Sequence, residues 1–290
     1  MTPEQSLAIC RFLNDGSLTF LWGALGLSAL ADPAVRNQLS ARLQIAVPIA
    51  VGLVSVSAIA SIPLQAALIT DQWRSAVDPD ALSLVSETRV GEALTARLVT
   101  SMVLLAAYVA KANRVIPVIA GVMLTELACV GHAVEGSILE GLLRQAIDAI
   151  HVLSATAWLG GLVAFILLLQ MAKSHELKKA AVAAMALFSR LGHVAVALVI
   201  VSGVVNTWLI VGKVPTDLSS PYEVKLLCKT AAVAAMIVLA ILNRYVLVPA
   251  LRSRRSDLPC RLLVLASVGE IVLGLIALAL VASFGLEDPA

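Results

Sequence analysis

Charge is scarce in this chain. Only 14% of its 290 residues are Asp, Glu, Lys or Arg, against about a quarter in a soluble domain that must stay hydrated. The net charge is +2 and no basic run carries interleaved aromatics, which excludes a nucleic-acid-binding surface. Aromatic residues make up 4%. The four cysteines, Cys10, Cys129, Cys228 and Cys260, are scattered with no CxxC pair, so neither a disulfide framework nor a zinc site is implied. A cleavable signal is also missing from the expected pattern. The first apolar stretch holds Arg11, Asn14 and Asp15, and no basic segment precedes it.

What fills the chain instead is apolar sequence: 60% of residues are hydrophobic and the mean hydropathy is +0.94. A helix needs roughly 20 apolar residues to cross a bilayer, where lipid offers its amides no partner outside its own ladder. Runs bounded by charge or turn residues give spans at 6–30, 43–69, 92–110, 115–134, 143–171, 184–211, 224–248 and 261–285. The expected fold is therefore all-α, a polytopic bundle of about eight transmembrane helices in one domain over 1–290, with the lipid bilayer as its surroundings. Pro48 and Pro63 lie within the second span and predict a kink there. The longest connection, 70–91, has room for a surface helix.

Charge asymmetry predicts the orientation. Arg36, Arg42, Lys111, Arg114, Lys173, Lys178, Lys179, Arg190, Arg244, Arg252, Arg254, Arg255 and Arg261 fall on one side, and most of the acids, Asp71, Asp78, Glu87, Glu135 and Glu140 among them, on the other. The positive-inside rule then puts both termini outside, on the periplasmic face in a bacterium, and makes that face acidic. A faint duplication runs through the chain, relating 1–140 to 141–290. Asn14-x8-Gly23 in span one parallels His151-x8-Gly160 in span five, and Gly91-x5-Arg97 parallels Glu223-x5-Lys229.

Polar groups within the spans are costly, so each asks for a reason. Arg144, Asp148, His151, Ala155 and Trp158 form one stripe on span five. Asp148, one turn outward, is placed to accept from one imidazole nitrogen of His151 and leave the other free as a ligand. His132 ends span four, with Cys129 one turn deeper, Glu135 one turn outward and Glu126 deeper still. His132 and His151 sit on consecutive antiparallel helices in the outer half of the membrane, where they can meet. Imidazole suits copper in either oxidation state and thiolate suits Cu(I). The same pattern also fits packed histidines bonded to neighbouring helices, with Cys129 a small apolar residue. Glu270, in mid-span, has Lys225, Lys229 and Arg97 as possible ion partners, or else serves an ion or proton path. The six methionines form no MxxM pair, so no thioether ladder is expected.

These residues resemble the CopD family of copper-resistance inner-membrane proteins. The likeness rests on DAIHVLSATAWLGGL (148–162) with the GHA of 131–133 before it. It continues in SETRVGEALTARL (86–98), LFSRLGHVAVALVIVSGVVNTW (187–208), YEVKLLCK (222–229), LNRYVLVP (242–249) and GEIVLGLIALAL (269–280). The resemblance implies a multi-pass bacterial inner-membrane protein, not an enzyme, that binds or moves Cu(I) or Cu(II) in copper homeostasis. It implies a separate periplasmic CopC-like carrier as partner, and it carries His132, His151, Trp158, Lys229 and Glu270 onto family positions. Two departures stand out: Asn14 where relatives often have His, and Glu223 where they often have Gly. The H-x6-W-x-G element is similar also to the membrane protoporphyrinogen oxidase family, which implies haem b as the alternative cofactor and a redox function.

Overall fold

The computed structural model describes residues 1–129, 138–213, 215, 217–251 and 258–284, and among these every regular element is helical. The basic residues Arg252, Arg254 and Arg255 and the acidic Glu287 and Asp288 lie outside the described residues.

Local chemistry sets the helix ends. The first helix, α1 (Pro3–Leu30), opens on a capping box in which Thr2 and Gln5 satisfy each other's backbone N–H groups, with Pro3 at its first position. Asp32 caps α2 (Pro33–Leu43), again with proline first. This short helix was not expected from its polar sequence. It exists because Val35, Leu39 and Leu43, one turn apart, seal the end of the bundle against α1 and two later helices. Its Arg42 reaches Gln170 at 2.6 Å.

The second span is α3 (Ala46–Thr70). Pro48 falls in its first turn, where the missing N–H leaves no bond unmade. Only Pro63 lies inside the helix and removes a ladder bond. The 70–91 connection folds into a 3-10 turn (Trp73–Val77) and α4 (Pro79–Ser86), as its length allowed. Then come α5 (Arg89–Val109), α6 (Ile116–Cys129), α7 (Ile138–Met171) and α8 (Lys178–Val211), the last closed by Gly212 at φ 68°, a left-handed conformation that glycine adopts without strain. The remaining elements are α9 (Pro221–Leu242), a π-helical turn (Asn243–Leu247), α10 (Val248–Ala250) and α11 (Leu258–Phe284).

Six described helical stretches are long and apolar enough to cross a membrane: α3, α5, α7, α8, α9 continued to Ala250, and α11. The described part of α6 is shorter. In α1, the polar residues Asn14, Asp15, Ser17 and Thr19 dilute the apolar run, yet most of them turn inward. The helix packs against α3, α6, α7 and α11, and Asn14, Ser17 and Thr19 are buried. The outer surface is apolar instead. On α8, Val194, Val201, Val204 and Trp208 are exposed, an arrangement stable in lipid and not in water.

The bundle is built around one crossing, α1 against α7. The apolar part of α7 is 61% buried, against 33% or less for the other five spans. Contact is backbone to backbone. A Cβ on Gly23 would stand 2.7 Å from the Cα of Gly160 and from the carbonyl O of Thr156, and a Cβ on Gly160 would stand 2.0 Å from the carbonyl O of Thr19. Thr19 and Thr156 each turn their hydroxyl back onto the carbonyl four residues earlier, Asp15 and Val152. Trp22, beside Gly23, lies against Gly121 of α6, and Leu159, beside Gly160, lies against Gly274 of α11. Close approach through glycine is what drives helix association in lipid, where burying apolar surface gains nothing.

Candidate functional site

Polar side chains inside the bundle gather in three places. The first surrounds His151 on α7. Its Nδ1 lies 3.0 Å from Ser202 Oγ on α8, and Ser202 Oγ itself donates to the Leu198 carbonyl at 2.5 Å. The ring also bonds the Val199 backbone of α8, so two groups of that helix hold it, and a neutral imidazole carries its proton on one nitrogen and a lone pair on the other. Gly203, next on α8, makes room for the ring: a Cβ there would stand 3.2 Å from Cε1.

Asp148 is on the same stripe of α7 but has a different task. Its Oδ1 accepts from Asn206 Nδ2 of α8 at 2.7 Å, and it interacts electrostatically with Lys229 of α9. Lys229 acts in turn on His151. The ring is therefore oriented by Ser202, and Asp148 balances the lysine beside it. Neither Ser202 nor Asn206 was singled out in the sequence, although both lie in the SGVVNTW stretch of span six. The signal was a small polar residue beside a glycine in an otherwise apolar run.

The second cluster lies among α1, α5 and α6. Asn14 donates to Asp15 at 2.9 Å, and Asp15 feels both Arg97 and Arg11. Thr100 donates to Glu126 at 3.1 Å. Arg97 is buried and acts on Glu126 as well as Asp15. Arg97 is thus with Asp15 and Glu126, not with Glu270. Cys10 packs nearby, its thiol on the Ser57 carbonyl of α3 at 3.3 Å.

Glu270 of α11 forms the third. It is 1% exposed and its partners are Asn243, 2.5 Å away, and the Trp158 indole. Of the basic partners considered for it, Lys229 and Arg97 are committed to the other two clusters, and Lys225 is not among the groups that act on it. Trp158, on the stripe with His151, faces Glu270 rather than the imidazole.

His132, Glu135 and the side chain of Cys129 lie outside the described residues. Among the described residues no group of three or more His, Cys, Asp and Glu side chains is arranged to hold a metal ion. His193 bonds to the Ser189 carbonyl and to Tyr245, near the other end of α8. At the α8–α9 connection, Glu223 ties Lys213 at 3.0 Å and the backbone N–H of Asp217 at 2.8 Å. Hydrogen bonds from the hydroxyl and N–H of Ser219 hold the Asp217 carboxyl below the usual carboxylate range.

The sequence matches the family model for the copper resistance protein D-like N-terminal domain over residues 1–144, and that for copper resistance protein D over residues 182–284. It is similar to the inner membrane protein YebZ of Escherichia coli (strain K12), 32% identical over 246 residues, which cover 83% of this chain and 84% of that protein. It is also similar to copper resistance protein D of Pseudomonas syringae pv. tomato, 38% identical over 192 residues, covering 62% of this chain and 60% of that one. No solved structure matches it.

Proposed function

Because the chain belongs to the copper resistance protein D family, we propose that it is a multi-pass inner-membrane protein that takes up copper from the periplasmic face, with His151 as its intramembrane ligand. The observation that carries this reading is the state of the imidazole. Ser202 and the Val199 backbone hold the ring from α8, and the unprotonated nitrogen of a neutral imidazole binds copper in either oxidation state. His132, from the preceding span, is proposed as the second ligand, with Cys129 and Glu135 near it. Two nitrogens satisfy linear Cu(I), and Cu(II) needs further donors. Glu140, exposed at the start of α7, and the other outer acids favour the approach of cations and of a basic surface on a periplasmic CopC-like carrier. Copper is the cargo in this account. An absorption spectrum of the purified protein, taken with its metal content, tests it. Stoichiometric copper without a Soret band is expected. A Soret band that accompanies iron would make the protein a haem-binding one instead.

We also infer that 1–140 and 141–290 are copies of one four-helix unit. The support is reciprocal. Thr19 meets Gly160 as Thr156 meets Gly23, and the residue before each glycine fills a notch on the fourth helix of its own half. Residues i on j and j on i are the mark of two-fold packing. Arg97 and Lys229, at matching positions, each act on a carboxylate of the central helix of their half, Asp15 and Asp148, although those two acids do not themselves match in register. Asn14 then holds the place of His151, so one half alone presents an imidazole at this position.

A further inference from the structure

Glu270 is sealed in the protein with no ionic partner among the described residues, and its surroundings hold more oxygen than hydrogen. Asn243 is 8% exposed, Ser267 0% and Trp158 5%. Asn243 donates its amide to the carboxyl, and the Trp158 indole, a donor only, supplies a second hydrogen. Two oxygens remain without a partner among the described residues, Asn243 Oδ1 and Ser267 Oγ. Asn243 Oδ1 belongs to the amide already seated on Glu270. Ser267 is three residues before Glu270, on the same face of α11. Asn243 Oδ1 thus adjoins the carboxyl, and Ser267 Oγ lies one turn away along the same face. Asn243 opens the π-helical turn Asn243–Leu247, and single π turns recur where a helix must aim a functional side chain.

The charged groups on the elements packed against α11 are engaged elsewhere. Lys229 of α9 interacts with Asp148 and His151 of α7, and Arg11 of α1 interacts with Asp15. Arg144 and Glu140 at the start of α7, Glu4 of α1, Lys225 and Glu223 of α9 and Arg244 of the π turn do not figure among the groups acting on Glu270, which are Asn243 and Trp158 alone. An ionised carboxylate here has two donors and no counter-charge. The neutral acid adds the one thing the nest lacks, an O–H for a bare oxygen.

We propose that Glu270, Asn243, Ser267 and Trp158 form a proton-binding site in the membrane, with Glu270 as the acid and Asn243 Oδ1 or Ser267 Oγ as acceptor of its O–H. A proton from water adds to the carboxylate and leaves by the same bond; nothing is oxidised or reduced. The site is separate from His151. Trp158, its member on α7, is seven residues from His151, roughly 10 Å of helix rise, and the proposal stands without the copper reading.

Infrared difference spectra of the purified, membrane-reconstituted protein test it directly. At neutral pH the wild type is expected to show the carbonyl band of a buried protonated carboxyl, shifted in heavy water and lost in Glu270→Gln. Superimposable wild-type and Glu270→Gln spectra in that region would overturn the proposal. Should Glu270→Gln fail to insert, Asn243→Ala and Ser267→Ala retain the acid. At least one must shift the band, and an unmoved band in both would be equally fatal. Loss of the band on adding sodium chloride at constant pH, but not potassium chloride, would assign the nest to a metal cation and refute the proton site.

Discussion

A histidine within a membrane serves as a soft-metal ligand only while one ring nitrogen stays free of both a proton and a hydrogen bond. In this protein Ser202 and the Val199 backbone hold the ring from α8, and the proposed site needs one nitrogen left open. Ser202 Oγ donates to the Leu198 carbonyl and stands 3.0 Å from His151 Nδ1. Asp148 meanwhile holds Asn206 and faces Lys229. Replacing Ser202 with Ala should therefore weaken copper binding by about 10–100-fold, the usual range for a group that orients a ligand. Asp148→Asn should leave affinity within a few-fold. Competition against a chelator of known affinity checks both, and a larger loss in Asp148→Asn would reverse the assignment. The stripe Asp148–His151–Trp158 was readable from helical spacing alone. The partners were not, because Ser202, Asn206 and Asn243 come from other helices. Spacing along one helix says which residues share a face and nothing about what the facing helix brings.

Among the elements, the α1–α7 crossing has the least tolerance. Gly23 and Gly160 were visible as matching positions in two spans, and the backbone contact gives the reason: any Cβ there lies under 3.0 Å from backbone atoms of the opposite helix. Backbone cannot move aside as a side chain can. Gly160→Ala and Gly23→Ala should each destabilise the bundle by roughly 1–3 kcal/mol, the range for overpacking a core, whereas Gly16→Ala, which meets nothing within 4 Å, should be neutral. Thermal unfolding in one detergent compares the three, and equal midpoints would contradict a close-packed crossing. The long helices were legible because lipid demands unbroken apolar length. Two short elements were not. The α2 helix owes its form to three apolar residues over the end of the bundle, and the π turn opens on an Asn243 bonded to a buried carboxyl of α11. Both are tertiary effects that local composition does not carry.

For the whole molecule, orientation decides which face supplies the cargo. We propose, from the distribution of Lys and Arg, that the N-terminus lies outside. A cysteine replacing Glu4, which is exposed, in a background without reactive native thiols, should react with an impermeant reagent added from the periplasmic side. One replacing Lys111, in the exposed loop after α5, should react only from the cytoplasm. The opposite pattern would invert the molecule and place His151 near the cytoplasmic face.

Copper taken up at His151 is the claim on which the rest depends. The direct measurement is equilibrium copper binding by purified His151→Ala beside the wild type and His193→Ala, each shown to be folded and inserted. The account predicts loss of the tight site in His151→Ala alone, with His193→Ala unchanged because that ring serves the Ser189 carbonyl and Tyr245. Wild-type affinity and stoichiometry in His151→Ala would contradict it.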